Sequence, residues 1–316
     1  MTLVELMVAV SVLSILVLMF SSIFSSASRA WITGSGNVER RRNVRALTDF
    51  IGNELKAAML PVQTVNNSSS GDLQFVVDPS STQVPADYQN ADCVFWQAPL
   101  ATESSYGDIA EIGYFVKWVP DDSNSRVPKD PVPTLCRFFV NPSSKDPTSG
   151  VLTVNSNYKI FDPDKNSWLT PPIIDRVAPA KASTGYLGVF GENVVGLWIR
   201  CFGLDGRELP QNFDSRVGYT CNMQQTDIHG NTQAWQETRY LPAKVEVSIA
   251  QVDSHYAPRL AAATAAIRTL TSSGSIRSAE QFLQAFRQQA AGNKPLSALL
   301  PGMRIYSTEV QLTNAQ

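Results

Sequence analysis

Catalytic and metal-binding signatures are what this sequence has least of. Its 316 residues hold two histidines and four cysteines, with no C-x-x-C, G-x-S-x-G, G-x-G-x-x-G or Walker-type run. Acyl transfer, dinucleotide binding and zinc chelation therefore lack the residues that normally announce them. His229 and His255 have no Cys or Glu at ligand spacing and read as surface or packed residues. Charge is scarce too: 17% of residues are charged and the formal net charge is −2, which excludes both a basic nucleic-acid binder and an acidic disordered tail. Acid pairs such as Asp121-Asp122 read as solvated charge on a loop.

Basic residues are missing from one place in particular. No Lys or Arg precedes Arg29, and the cluster Arg40-Arg41-Arg42 with Arg45 comes later still. What fills the space is oil. From Leu6 to Phe24 nineteen residues carry no charge, which at about 1.5 Å per residue covers roughly 28 Å, close to the hydrocarbon thickness of a bilayer. A membrane-spanning helix follows. Signal peptides and N-in anchors need positive charge before the apolar run. Here either the amino terminus faces outward or a basic leader has been removed.

Glu5 interrupts the oil near its start. A carboxylate at a helix centre costs on the order of 3 kcal/mol on insertion scales, so it needs an interface or a partner. Two readings fit. Thr2-x-x-Glu5 matches a capping box at a helix start, and Glu5 also stands where a positive group on another subunit, such as an α-amino group at residue 1, could pair with it.

The run Thr2-Leu3-Val4-Glu5-Leu6 followed by an apolar helix resembles the mature amino terminus of type IV pilins and type II secretion pseudopilins. The resemblance implies cleavage by prepilin peptidase before Met1, N-methylation of Met1, and assembly through Thr2, Leu3, Val4, Glu5 and Leu6, with Glu5 pairing to a neighbour's amino terminus. Residue 1 in the family is commonly Phe, and Met1 departs from that choice. Further along, Arg45 to Glu54, Glu192-Asn-Val-Val195 and Leu241-Pro-Ala-Lys-Val-Glu-Val247 are similar to J-type minor pseudopilins, while the closing Arg304-Ile-Tyr-Ser-Thr-Glu-Val310 looks like Verru_Chthon cassette C proteins. The implied partners are other pilin subunits, prepilin peptidase, an inner-membrane assembly platform and the lipid bilayer before assembly, with no nucleic acid. The implied location is the inner membrane, single-pass, with the globular part periplasmic until a filament or the cell surface receives it.

The remaining chain divides by pattern. Val44, Leu47, Thr48, Ile51, Leu55 and Ala58 recur at helical spacing, with Arg45, Asp49, Glu54 and Lys56 on other faces and Pro61 as a stop. Gly34-Ser-Gly36 marks a soft point between the halves. The helix is expected from about residue 2 to 60. Its parts are 1–28, the transmembrane or filament-core half, and 29–60, the amphipathic half available to cover a sheet. Arg40 to Arg42 has two readings, pairing with neighbouring subunits or headgroups, and a solvated helix side.

After a polar loop at 62–72, residues 61–253 read as a β-rich globular domain. Short strands fall at 73–77, 93–96, 109–119, 134–140 and 151–154, and the longer runs at 193–202 and 243–252 form a pair. In the last of these Val245, Val247 and Ile249 alternate with Lys244, Glu246 and Ser248, indicating one buried face. Residues 254–316 form a helical extension, with a helix near Leu260–Arg268, a second capped by Ser278-x-x-Gln281, and a final strand from Met303. The fold class is α+β, a long amino-terminal helix packed on an antiparallel sheet with carboxy-terminal helices and a last strand.

The remaining site candidates are few. Nearest-neighbour pairing joins Cys93 to Cys136 and Cys201 to Cys221, against two other connectivities or four buried free thiols. Asp162-x-Asp164-x-Asn166 opens like a calcium loop, but Ser167 and Ile173 occupy the positions that want Gly and Glu, so a solvated turn competes with it. No other cofactor is expected. Of the six tryptophans, Trp96, Trp118, Trp168, Trp198 and Trp235 read as core or sheet-face residues, with Trp168 the best candidate for a contact surface. The chain is expected to be a structural filament subunit, minor rather than major, and not an enzyme. The alternative is a membrane-anchored exoplasmic binding or adhesion module that does not polymerise.

Overall fold

In a computed structural model, the described residues are 3–59, 73–85, 88, 90–101, 106–121, 129–145, 149–155, 158, 168–177, 189–226, 228–312 and 314. The chain falls into two units, Met1–Leu47 and Thr48–Gln316. Helix α1, Leu3–Lys56, supplies all of the first unit's described structure and contributes its last turns to the second.

The second unit is mixed helix and antiparallel sheet. A five-stranded sheet has the order β1-β2-β3-β4-β7, made from Phe75–Val77, Val94–Ala98, Ala110–Asp121, Lys129–Val140 and Val189–Glu192. A three-stranded sheet has the order β12-β11-β8, from Met303–Gln311, Lys244–Val252 and Val194–Phe202. Two hairpins stand beside them, β5 with β6 (Ser143–Lys145, Leu152–Val154) and β9 with β10 (Tyr219–Thr226, Thr232–Arg239).

The long-looped hairpin read from sequence is β3–β4, and it runs further than expected. Pairing continues through Trp118 with Pro133 and Val119 with Val132 to Asp121 with Lys129 across a register shift. The pair at 193–202 and 243–252 is β8 with β11, in register from Phe202 opposite Lys244 to Gly196 opposite Ala250.

Residues 254–316 are not an appendage. β12 is a full partner of β11 over nine residue pairs, Lys244 with Gln311 through Val252 with Met303. Helices α3 (Thr264–Thr271), α4 (Ala279–Ala290) and α5 (Lys294–Leu299) lie between these strands in sequence. Ser278 caps α4 by accepting from the Gln281 N–H at 3.2 Å, as its motif requires. Phe282 and Phe286, four apart on α4, are fully buried in one cluster with Trp198, Ala250, Val252 and Met303.

That cluster corrects the expectation of a sheet with one buried face. Val245, Val247 and Ile249 are buried, but so are Ser248, Ala250 and Val252 on the opposite side, so helices cover a face that the alternation left to water. Ser248 survives there because its hydroxyl accepts from the Ala279 N–H at 3.0 Å, joining β11 to the start of α4. A second cluster gathers Phe95, Phe115, Phe138 and Trp168 with Ile173 and Ile174 of α2 (Pro171–Val177) on the five-stranded sheet. Gly113 belongs to this packing: a Cβ there would sit 2.1 Å from Phe95 Cδ1. Truncating Phe282 to Ala empties a fully buried site between α4 and the sheet, and should cost about 3–5 kcal/mol in a urea-unfolding measurement.

Candidate assembly surface

The front of α1 is apolar in sequence and open in structure. Every described side chain from Ser11 to Ser25 is exposed, as are Leu3 and Met7. Four successive residues, Leu16, Val17, Leu18 and Met19, are 46%, 58%, 70% and 60% exposed, and at 3.6 residues per turn they point to all sides of the helix. A helix hydrophobic all round is normally buried on every side, and exposed apolar surface of this extent marks a contact surface. Among the described residues no helix is long and apolar enough to cross a membrane. The side chains of Val4, Glu5 and Leu6, and those from 26 to 44 including Arg40–Arg42, lie outside the described residues, as do Met1 and Thr2 entirely.

The rear of α1 is built differently. The expectation that the whole amphipathic half would cover the sheet is corrected: within the globular unit the helix contributes Thr48 to Lys56 only, and it ends at Lys56 rather than near 60. There the pattern holds, with Thr48, Ile51, Leu55 and Ala58 buried and Asp49 and Lys56 exposed. Gly52 is in the contact as well, since a Cβ on it would meet Val310 Cγ2 of β12 at 3.2 Å. Two tight bonds close the helix end, from the Ala57 N–H to Glu54 O at 3.2 Å and from Ala58 N–H to Leu55 O at 3.0 Å. Beyond it the Met59 N–H reaches Gln97 O on β2, and Asn314 Nδ2 donates to Ala58 O at 2.8 Å.

The sequence places Glu54 on a face other than the apolar stripe. Glu54 is buried, and its carboxylate is the polar centre of the joint. Arg137 on β4 donates to both carboxylate oxygens, through Nη2 to Oε1 and through Nε to Oε2 at 3.2 Å, and Tyr114 of β3 donates its hydroxyl to Oε2. This fork is the bidentate geometry that suits a guanidinium to a buried acid. The guanidinium lies 4.1 Å from the Phe139 ring centroid and 5.5 Å from that of Phe50, whose ring also meets Phe190 of β7 at 5.2 Å. Burial, then the adjacent Glu54 carboxylate, pushes the Tyr114 phenol well above its ordinary range, so it stays a donor.

No family model and no curated relative matches the sequence. A structural search matches a type IV-like pilin from Thermus thermophilus at 10% identity and a TM-score of 0.33, over 87% of this chain and 97% of that one. At that score the likeness carries no argument.

The remaining candidates fall into place or fall away. All four cysteines are buried free thiols. The Cys93–Cys136 pairing is prevented by topology. Cys136 lies opposite Phe115 of β3, and Cys93, one residue before β2, lies across from the same stretch on the other side of that strand. Two ladder spacings of about 4.8 Å separate them, beyond the roughly 7 Å that a disulfide spans between Cα atoms. Cys201 and Cys221 sit on strands of different sheets and are also unbonded. Burial pushes the Cys136 thiol up to about 12 and raises Cys93 and Cys201 as well, which keeps them protonated.

Asp162, Asp164 and Asn166 lie outside the described residues, and among the described residues no group of three acids, histidines or cysteines could hold a metal. Trp168 is not a contact surface: it is 3% exposed, with its indole N–H on Gln74 Oε1 at 2.9 Å. Trp96, Trp118 and Trp198 are core residues, as read, while the Trp235 side chain lies outside the described residues. His229 and His255 are both exposed.

The joint makes a direct prediction. Arg137→Ala leaves the Glu54 carboxylate buried beside Tyr114 alone and should destabilise the globular unit by about 2–3 kcal/mol in chemical denaturation. Arg137→Lys, with the charge but not the fork, should recover part of that loss.

Proposed function

We propose that this chain is a structural subunit of a type IV pilus-like or type II secretion pseudopilus filament, held in the inner membrane and assembled through its amino-terminal helix. The observation that carries this reading is a helix start that is apolar and exposed on every described side. Each large side chain returned to water forfeits roughly 1.5–3 kcal/mol, so such a helix needs either lipid or a bundle of like helices around it. Both environments suit the same surface. A subunit can therefore pass from one to the other without refolding, while its globular unit keeps its own core.

The size of the unit from Thr48 to Gln316 suits a minor subunit of J type better than a major one, because bulky domains crowd a tightly stacked fibre. Processing by prepilin peptidase before Met1, N-methylation of Met1 and a globular unit on the periplasmic side complete the proposal. Its role is assembly, not catalysis. No cofactor is assigned, and calcium at Asp162, Asp164 and Asn166 is not needed for it.

Glu5 is the register element in this scheme. Moved from the membrane interface into a bundle, its carboxylate would pair with a neighbouring subunit's amino terminus, and such a pair forms at only one axial offset. Glu5→Ala should leave membrane insertion intact and sharply reduce incorporation, read as the ratio of sheared filament to membrane-bound protein in a complementation assay. Normal incorporation of the variant would remove the register role. A chain that stays monomeric in the membrane under piliation or secretion conditions would instead be the anchored binding module.

A further inference from the structure

Among the described residues, the sheets of the globular unit guard their edges with one exception. An open edge strand is a template for pairing with another chain, and proteins blunt it with cover, brevity, proline or charge. Outside β1, the Ser215 N–H donates to Phe75 O at 2.9 Å and the Val77 N–H to Phe213 O at 2.8 Å, so passing chain covers that edge. Outside β8, the Asp92 N–H donates to Leu197 O at 2.7 Å and the Leu209 N–H to Cys201 O at 2.8 Å. β7 is only four residues long, and β5 and β6 are three each. β12 shows Arg304 and Glu309 to solvent, and β10 carries Glu237 and Arg239.

β9 has none of these devices. Its eight residues pair with β10 without a register shift, and among the described residues no third strand joins the hairpin. The strand holds no Lys, Arg, Asp, Glu, Pro or Gly. One face is anchored at its base, where the Leu204 N–H donates to the Tyr219 hydroxyl at 3.2 Å and Cys221 is buried. The other face looks outward. Thr220, Asn222, Gln224 and Thr226 are all exposed, as are their four uncharged partners on β10.

Two features select what this edge takes. The first is polar: β9 can meet a copy of itself with no like charges opposed, and directly opposed residues of an antiparallel pair project to the same face. A two-fold axis through Asn222 therefore keeps the outward face continuous, with Asn222 opposite the partner's Asn222 and Thr220 opposite the partner's Gln224. An amide both donates and accepts, so it can satisfy its own copy. The second feature is apolar. Val217, two residues before β9, is 78% exposed, and Ile228, two residues after it, is 96% exposed. Antiparallel pairing about the centre of the strand sets base against tip, which brings each Val217 beside the partner's Ile228 and takes both from water.

We propose that β9 is a strand-addition edge for a second copy of this chain, joining two hairpins into one four-stranded antiparallel sheet about a two-fold axis through Asn222. The contact lies within the globular unit and goes beyond assembly through the helix. A two-fold contact closes on itself, so it joins subunits in pairs and cannot extend a filament.

The test uses the full chain in detergent micelles, where detergent covers the helix front, and in the membranes of the producing cells. Asn222→Cys should give a disulfide-linked dimer under mild oxidation in both, because the four native thiols are buried and stay out of the reaction. Gln236→Cys, on the same outward face but one strand further from the axis, should cross-link no more than the unaltered chain. Asn222→Lys places two like charges on the axis and should weaken dimerisation in sedimentation roughly fivefold, with added salt restoring part of it. Four results would overturn the self-pairing: a chain that sediments as a monomer, Asn222→Cys linking no better than Gln236→Cys, Asn222→Cys captured by a different protein in membranes, or Asn222→Lys as dimeric as the unaltered chain. None of these readouts passes through Glu5 or filament yield, so the pair and the filament fail separately.

Discussion

The structure depends on how the last turns of α1 enter the globular unit. Ile51 and Leu55 are fully buried, and between them in sequence Glu54 places a negative charge where water is excluded. A buried carboxylate is affordable only when it is fully partnered, and the fork of Arg137 together with the Tyr114 hydroxyl provides that partnership from two adjacent strands. The charge pair specifies geometry as much as it stabilises. A purely apolar contact would tolerate rotation of the helix about its axis, whereas a bidentate pair holds Glu54 opposite β3 and β4 in one orientation. Gly52 adds to this on the neighbouring face, since its missing side chain lets the helix approach Val310 of β12.

The same helix therefore has two ends under opposite rules. Its rear is amphipathic, capped by chain that returns to β2, and satisfied within the globular unit. Its front is exposed at every described side chain from Ser11 to Ser25. The last turns of α1 are fixed within the globular unit by the bonds of Glu54, Met59 and Ala58. The carboxy-terminal segment reinforces the rear. β12 carries Val310 against Gly52, and Asn314 reaches Ala58 O.

Much of this is legible in the residues when the signal is local. The spacing of Thr48, Ile51, Leu55 and Ala58 marks the buried stripe, Ser278-x-x-Gln281 marks the start of α4, alternation marks β11 and β12, and a near-continuous apolar run marks β8. The hairpin β9–β10 is a different case. Its strands, such as Thr232–Arg239, are mostly polar and exposed, so no hydrophobic period announces them, and only the turn residues around His229 and Gly230 hint at a reversal. The disulfide pairings fail for a related reason. Closeness in sequence says nothing about a third strand lying between two cysteines.

By itself the sequence determined the apolar helix front, the class of fold, the caps and the strand pairings that follow from period-two patterns, because these are short-range properties of a chain in water. Only the tertiary structure decided that Glu54 lies inside, that Ser248 and Trp168 are buried, and that residues 254–316 complete the core. Each of those turns on which distant segment covers a given face. A polar side chain reads as solvated in a sequence and is buried only where a partner far along the chain arrives to satisfy it.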